Sequence, residues 1–140
     1  VDVSNEALLI AKKNAANHNV AIHFLNKNIL KEAINLQSTL DVIVSNPPYV
    51  RDQEKSLMKS RVLNYEPHLA LFVPDDNPLL FYKKIAKIAL EKLNKNGMLI
   101  TEINENLYNE IYQLYKEKGF HSISIIQDFK GKNRIIKAVK

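Results

Sequence analysis

No cysteine occurs in the 140 residues, which excludes a disulfide framework, a thiolate metal site and a cysteine nucleophile. Glycine is nearly as scarce. Gly97, Gly119 and Gly131 are the only three, and they stand far apart. No Gly-x-Gly loop is therefore present to bring backbone N–H groups onto a ligand. No run of about 18 apolar residues is available for a transmembrane helix, and no secretory signal is visible. His18, His23, His68 and His121 lack metal-ligand spacing and read as structural or exposed. Internal repeats and low-complexity tracts are missing too.

What is present is an ordinary globular composition, 46% hydrophobic and 25% charged. The length suits one domain or part of one, and the composition fits a cytoplasmic protein. The net charge of +5 comes from scattered lysines, most on presumed helix surfaces. The one dense basic stretch, Lys130-Gly131-Lys132-Asn133-Arg134, reads as a hairpin turn or as a contact for RNA phosphates.

The informative feature is Asn46-Pro47-Pro48-Tyr49, directly after the apolar run Asp41–Ser45. That run reads as a buried strand, and ligands of open α/β sheets bind at the carboxyl ends of strands. The Asn46 side-chain carbonyl and the Pro47 backbone carbonyl are two acceptors for one NH2 group. The prolines stiffen this array and add no competing donor. Holding both N–H bonds of a planar nitrogen favours pyramidalisation and frees its lone pair for an electrophilic methyl group. Catalysis would then be positioning and preorganised electrostatics. Tyr49 would stack on the flat target. An Asn-Pro-Pro sequence can also simply end a strand as a turn.

Along the chain, Ser4 caps a helix to about Asn17, with Leu8, Ala11 and Ala15 inward. Ala21–Leu25 reads as a strand, and residues 26–39 as a loop with one helical turn. Residues 51–76 form a long, proline-interrupted connection. Asn77 and Pro78 open a second helix that buries Phe81, Ile85, Ile88 and Ala89 and stops at Asn96-Gly97. Met98–Ile103 is a strand. Glu105–Lys118 is a helix that buries Leu107, Ile111 and Leu114. Ser122–Asp128 and Arg134–Val139 form a hairpin. Strands alternating with helices imply an α/β fold with parallel pairing and one added antiparallel strand.

These residues resemble the C-terminal part of the catalytic domain of release-factor glutamine methyltransferases (the HemK/PrmC type). The matching segments are Val1-Asp2-Val3-Ser4 with the helix after it, Asn46-Pro47-Pro48-Tyr49, Tyr65-Glu66-Pro67-His68-Leu69-Ala70-Leu71, Phe81-Tyr82 and Gly119-Phe120. The tetrapeptide is shared with adenine-N6 and guanine-N2 nucleic-acid methyltransferases; the Tyr-Glu-Pro segment favours the release-factor enzymes. The resemblance implies a Rossmann-like class I sheet with helices on both faces, S-adenosylmethionine as cofactor and a peptide chain release factor as protein substrate. It implies that Asp2 binds the donor ribose, Val3 packs on the adenine and Asn28 stands where an aspartate usually meets the adenine amino group. Asn46, Pro47, Pro48 and Tyr49 would hold the glutamine amide, with Asn46 also next to the donor. Glu66 would order the active-site loop.

Two departures accompany the resemblance. Glu102-Ile103-Asn104 stands where the family often has Glu-Ile-Gly. The family's first strand, its glycine loop and its N-terminal helical domain have no counterpart in residues 1–140. The expectation is a partial catalytic domain that is inactive by itself, binds the donor weakly or not at all and can self-associate through exposed strand edges. Competing readings are a nucleic-acid methyltransferase, which would flip its target base, and a non-catalytic remnant. No membrane association is expected, and nucleic acid enters only indirectly in the favoured reading.

Overall fold

Ser4 opens the first helix. In the computed structural model, which describes residues 1–140, its hydroxyl oxygen accepts the Ala7 N–H at 3.1 Å and helix α1 runs Asn5–Asn17. Asn19 closes the helix with a left-handed φ of 53°. Its N–H donates to the Ala16 carbonyl, and the Val20 N–H donates to that of Ala15. Glycine usually makes this paired closure; asparagine tolerates the same conformation.

The strand expected at Ala21–Leu25 does not form. A strand needs a neighbour to ladder with, and here the chain makes one isolated parallel bridge, Asp2 to Asn26. Val20 and Ile22 are left about half exposed. A single turn follows at Asn28, whose carbonyl accepts the N–H groups of Lys31 and Glu32. These elements make up one unit, Val1–Asn35, and Leu36–Lys140 makes up another.

The second unit contains strands β1 (Leu40–Ser45), β2 (Val50–Arg51), β3 (Phe72–Val73), β4 (Leu93–Glu102), β5 (His121–Gln127) and β6 (Asn133–Val139). Its helices are α2 (Ser60–Tyr65), α3 (His68–Leu71), α4 (Leu80–Lys92) and α5 (Tyr108–Glu117). The main sheet has the order β1-β4-β6-β5. β1 and β4 are parallel, with Val44 opposite Ile100 and Ser45 opposite Thr101. β6 is antiparallel to both of its neighbours. This is the expected α/β class with its C-terminal hairpin. β2 and β3 form a separate two-residue parallel pair.

The core of this unit lies under one face of the sheet. Leu99 and Thr101 of β4, Ile103 just after it, and Ile136 and Ala138 of β6 alternate inward and are fully buried, as are Ala86 and Ala89 of α4 and Ile111 of α5. The helix after Gly97 ends as its sequence suggests. Gly119, at φ 95°, lets the Phe120 N–H reach the Tyr115 carbonyl at 3.1 Å. The Tyr115 and Phe120 rings then meet with centroids 5.6 Å apart.

Several expectations are corrected. β1 is not a buried strand: it lies at an edge of the sheet, and Val42 and Val44 are exposed. The long connection carries β2, a 3-10 helix at Asp52–Leu57, α2, α3 and β3. α4 starts after Asn77-Pro78 and buries Tyr82, Ile85, Ala86 and Ala89, so its inward stripe is rotated away from Phe81 and Ile88. Asn96-Gly97 does not end that helix. The helix stops at Lys92, and Asn96 and Gly97 lie in a bulge where Leu40 and Val42 oppose Leu93 and Met98. A Cβ on Gly97 would come within 2.9 Å of the Asn94 carbonyl and 3.2 Å of the Asp41 carbonyl, so glycine is what permits the close approach.

Candidate active site

The parallel pairing of β1 and β4 determines where the tetrapeptide emerges. Ser45 and Thr101 are partners, so Asn46 and Glu102 leave the sheet side by side at the carboxyl ends of their strands. Asn46 is exposed, Pro47 is buried, and Pro48 and Tyr49 are half-buried. The open amide of Asn46 thus stands on a buried proline.

Tyr49 is held at two points. Its hydroxyl donates to Glu102 Oε1 at 2.7 Å. Its backbone carbonyl accepts from Asn104 Nδ2 at 3.1 Å. Burial, then the hydrogen bond to Glu102 and that carboxylate's charge, push the phenol up to about 12, with Arg134 opposing. The phenol therefore stays protonated and serves as a donor. Glu102 is itself fixed from the backbone side, because the Tyr82 hydroxyl donates to its carbonyl at 3.0 Å.

Asn104 also donates to Glu54 Oε2 at 2.9 Å, and its own side-chain oxygen accepts the Asn106 N–H. Glu54 takes three more hydrogen bonds, from the Arg51 backbone N–H, Nε and Nη2, at 2.9, 3.1 and 3.3 Å. Burial alone would raise the Glu54 carboxyl. The bonds from Arg51, with that from Asn104, hold it below the usual carboxylate range.

Glu66 stands outside this network. It is exposed, its N–H bonds back to the Val62 carbonyl, and it lines a shallow depression with Arg61, Val62 and Tyr65. The residues that tie down the tetrapeptide are Glu102, Asn104 and Glu54, which sequence reasoning missed. The Arg51–Glu54 spacing of three was a legible signal for a helix-start pair. Nothing in the sequence marked Glu102 and Asn104 as partners of Tyr49, because strand pairing brings them there.

Within Val1–Asn35 the expected donor-binding residues share one frame. The Asp2 N–H donates to the Leu25 carbonyl, and the Asp2 carbonyl accepts the Lys27 N–H. Asn26 Nδ2 bonds the carbonyls of Asp2 and Val3 at 3.1 and 2.9 Å. Asp2 Oδ1 accepts the Ser4 N–H at 2.8 Å, which orients an exposed carboxylate. Val3 is 43% exposed. Asn28 Oδ1 accepts the Leu30 N–H at 3.0 Å, and the Asn28 N–H donates to Glu32 Oε1.

The family described as the methyltransferase small domain matches residues 1–68. A crystal structure of a methyltransferase from Pyrococcus furiosus shares the fold, with a TM-score of 0.67 at 22% identity, over 99% of this chain and 59% of that one. The chain thus shares the α/β fold of that methyltransferase, and its first 68 residues match the small-domain family.

Along nearly its whole length the chain is similar to proteins named release factor glutamine methyltransferase. It is 47% identical over 98% of its length to the protein of that name from Flavobacterium psychrophilum, and 41% identical over 98% to the one from Bacteroides thetaiotaomicron. It is also 39% identical over 96% of its length to a bifunctional methyltransferase from Rickettsia typhi, of which it covers 26%. The chain spans about half the length of the first two relatives, 48% and 49%. No helix is long and apolar enough to cross a membrane.

Proposed function

We propose that the protein carrying this chain transfers a methyl group from S-adenosylmethionine to the side-chain amide nitrogen of a release-factor glutamine. The observation that carries the reading is the exposed Asn46 amide at the carboxyl ends of two parallel strands, on a tetrapeptide held from behind by Glu102 and Asn104. The names of the relatives support this choice of substrate.

The residues present fit the adenosine half of the donor. The Asp2 carboxylate has one oxygen engaged by Ser4 and the other open to ribose hydroxyls. Val3 offers an exposed apolar surface for the adenine. Asn28 already caps a turn, and the second lone pair of its amide oxygen is available to the adenine amino group. When bound, S-adenosylmethionine supplies an electrophilic sulfonium methyl. Asn46 and the Pro47 carbonyl would accept the two N–H bonds of the glutamine amide and aim its lone pair at that methyl. Tyr49, with its hydroxyl tied to Glu102, would offer ring surface to the amide, and Pro48 would keep the segment rigid. The alkylated amide is acidic enough to lose its proton without a strong base. A reaction on release factors belongs to translation, which makes the cytoplasm the expected compartment.

The test is labelled-methyl transfer by the full-length protein, with a release factor, DNA and RNA offered in parallel. Label on the release-factor glutamine is the expected result. Label on nucleic acid alone would keep the chemistry of Asn46 and overturn the substrate.

A further inference from the structure

We infer that Asn104 is a positioning residue for the methyl-accepting site, acting through Tyr49 and the Arg51–Glu54 pair; this rests on the proposed amide methylation. Three observations lead there. Asn104 is buried although polar, at 6% exposure, one of two such residues in the chain. Its Nδ2 spends both N–H bonds on the segment that carries the tetrapeptide, one on the Tyr49 carbonyl and one on Glu54. Its Oδ1 is fixed by the Asn106 N–H, so the amide cannot turn around without breaking all three bonds.

The consequence is a rigid frame with two anchors. One is Glu102, which takes the Tyr49 hydroxyl. The other is Asn104, which takes the Tyr49 carbonyl two residues after the Pro47 carbonyl that is to hold the substrate. Between a phenol fixed at its tip and a carbonyl fixed at its base, Tyr49 has no freedom to swing. Glu54 extends the frame onward. Its carboxylate joins Asn104 to the backbone and guanidinium of Arg51, at the point where β2 turns into the 3-10 helix.

Asn104 supplies what this frame requires: two donors on one nitrogen, facing a carbonyl and a carboxylate. Glycine has no side chain to do so, and aspartate would set a carboxylate against both acceptors. A displacement of about 1 Å in a catalytic array costs on the order of a hundredfold in rate. The Asn104 bonds are therefore expected to appear in turnover rather than in donor affinity.

The experiment uses the full-length protein and the variants Asn104→Asp and Asn104→Ala. Alanine removes both donors without adding a charge, whereas aspartate also sets a carboxylate against the Tyr49 carbonyl and Glu54. Asn104→Asp is expected to lower kcat on the release factor about tenfold or more while donor Kd changes less than about twofold. Asn104→Ala is expected to lower kcat as well, by at least about threefold less than Asn104→Asp. Unchanged kcat, a loss that follows donor Kd, or a larger loss in Asn104→Ala than in Asn104→Asp would overturn the inference.

A second readout does not depend on the substrate. The Arg51 N–H bonds Glu54, so Asn104→Asp should speed its hydrogen exchange by about tenfold or more, and Asn104→Ala should speed it by less. If the unaltered protein labels nucleic acid only, the substrate reading fails and this exchange decides the positioning claim. Unaltered Arg51 exchange in Asn104→Asp would overturn it.

Discussion

Residues Val1–Asn35 and Leu36–Lys140 fix their important side chains in different ways. In the first, Asp2 and Asn28 are set by bonds that their own segments make: a cap, a turn and one isolated bridge. Its buried apolar residues are Leu8, Ala15 and Ile34. In the second, Tyr49 is held by residues 53 and 55 positions further on, delivered by a laddered sheet over a continuous core. A group held by local bonds is disturbed by changing its neighbours. A group held by a sheet is disturbed by anything that shifts the sheet.

The sharpest break of this contrast is in the core. Leu99 is fully buried in β4, opposite Ile43 and three residues before Glu102. Leu99→Ala should cost about 2–5 kcal/mol of stability in denaturant titration. Ser4→Ala, which removes only the α1 cap, should cost about 1 kcal/mol.

Function should divide along the same line. On the proposed reading, Asn46→Ala in the full-length protein should lower kcat about 10²–10³-fold, the scale of losing one preorganised hydrogen-bonding group. Donor Kd, measured by calorimetry, should stay within about twofold. Asp2→Ala should do the reverse, raising donor Kd about tenfold to a hundredfold, as expected for a lost charged hydrogen bond. A large loss of donor binding in Asn46→Ala would count against its role as amide holder.

The smallest effect is one of pH. Tyr49 is pushed up to about 12, by burial first and Glu102 second. Tyr82 and Tyr115 are pushed up as well, chiefly by burial. A phenol whose folded value exceeds the unfolded one of about 10 binds its proton more tightly when folded. Its contribution to stability is complete below about pH 10 and lost as pH rises through the folded value. Stability measured by denaturant should therefore fall from about pH 10 toward 12, and Tyr49→Phe should make that fall shallower. An equally steep fall in Tyr49→Phe would mean that neither burial nor Glu102 shifts the Tyr49 phenol in solution.

Much of the local structure was legible in the chain. Ser4 announced α1, Gly119 announced the end of α5, and the basic Gly/Asn turn announced the β5–β6 hairpin. Each is a preference written into a few adjacent residues. Tyr82 illustrates where legibility ends. Helical spacing made Phe81 and Ile88 equally good candidates for the inward stripe, and the choice fell to Tyr82 and Ala86 because the hydroxyl reaches the Glu102 carbonyl. Ala21–Leu25 illustrates the same limit, since apolar alternation predicts a strand only where a partner is available to ladder with.

The sequence by itself determined that Asn46-Pro47-Pro48-Tyr49 follows a strand and that it brings together an amide, two rigid prolines and an aromatic ring. Tertiary structure decided what holds it. Glu102 and Asn104 reach Tyr49 because parallel pairing of β1 with β4 ends both strands at one level. That register is set by burying Leu99, Thr101 and Ile103 on one face, a property of the whole sheet rather than of any segment.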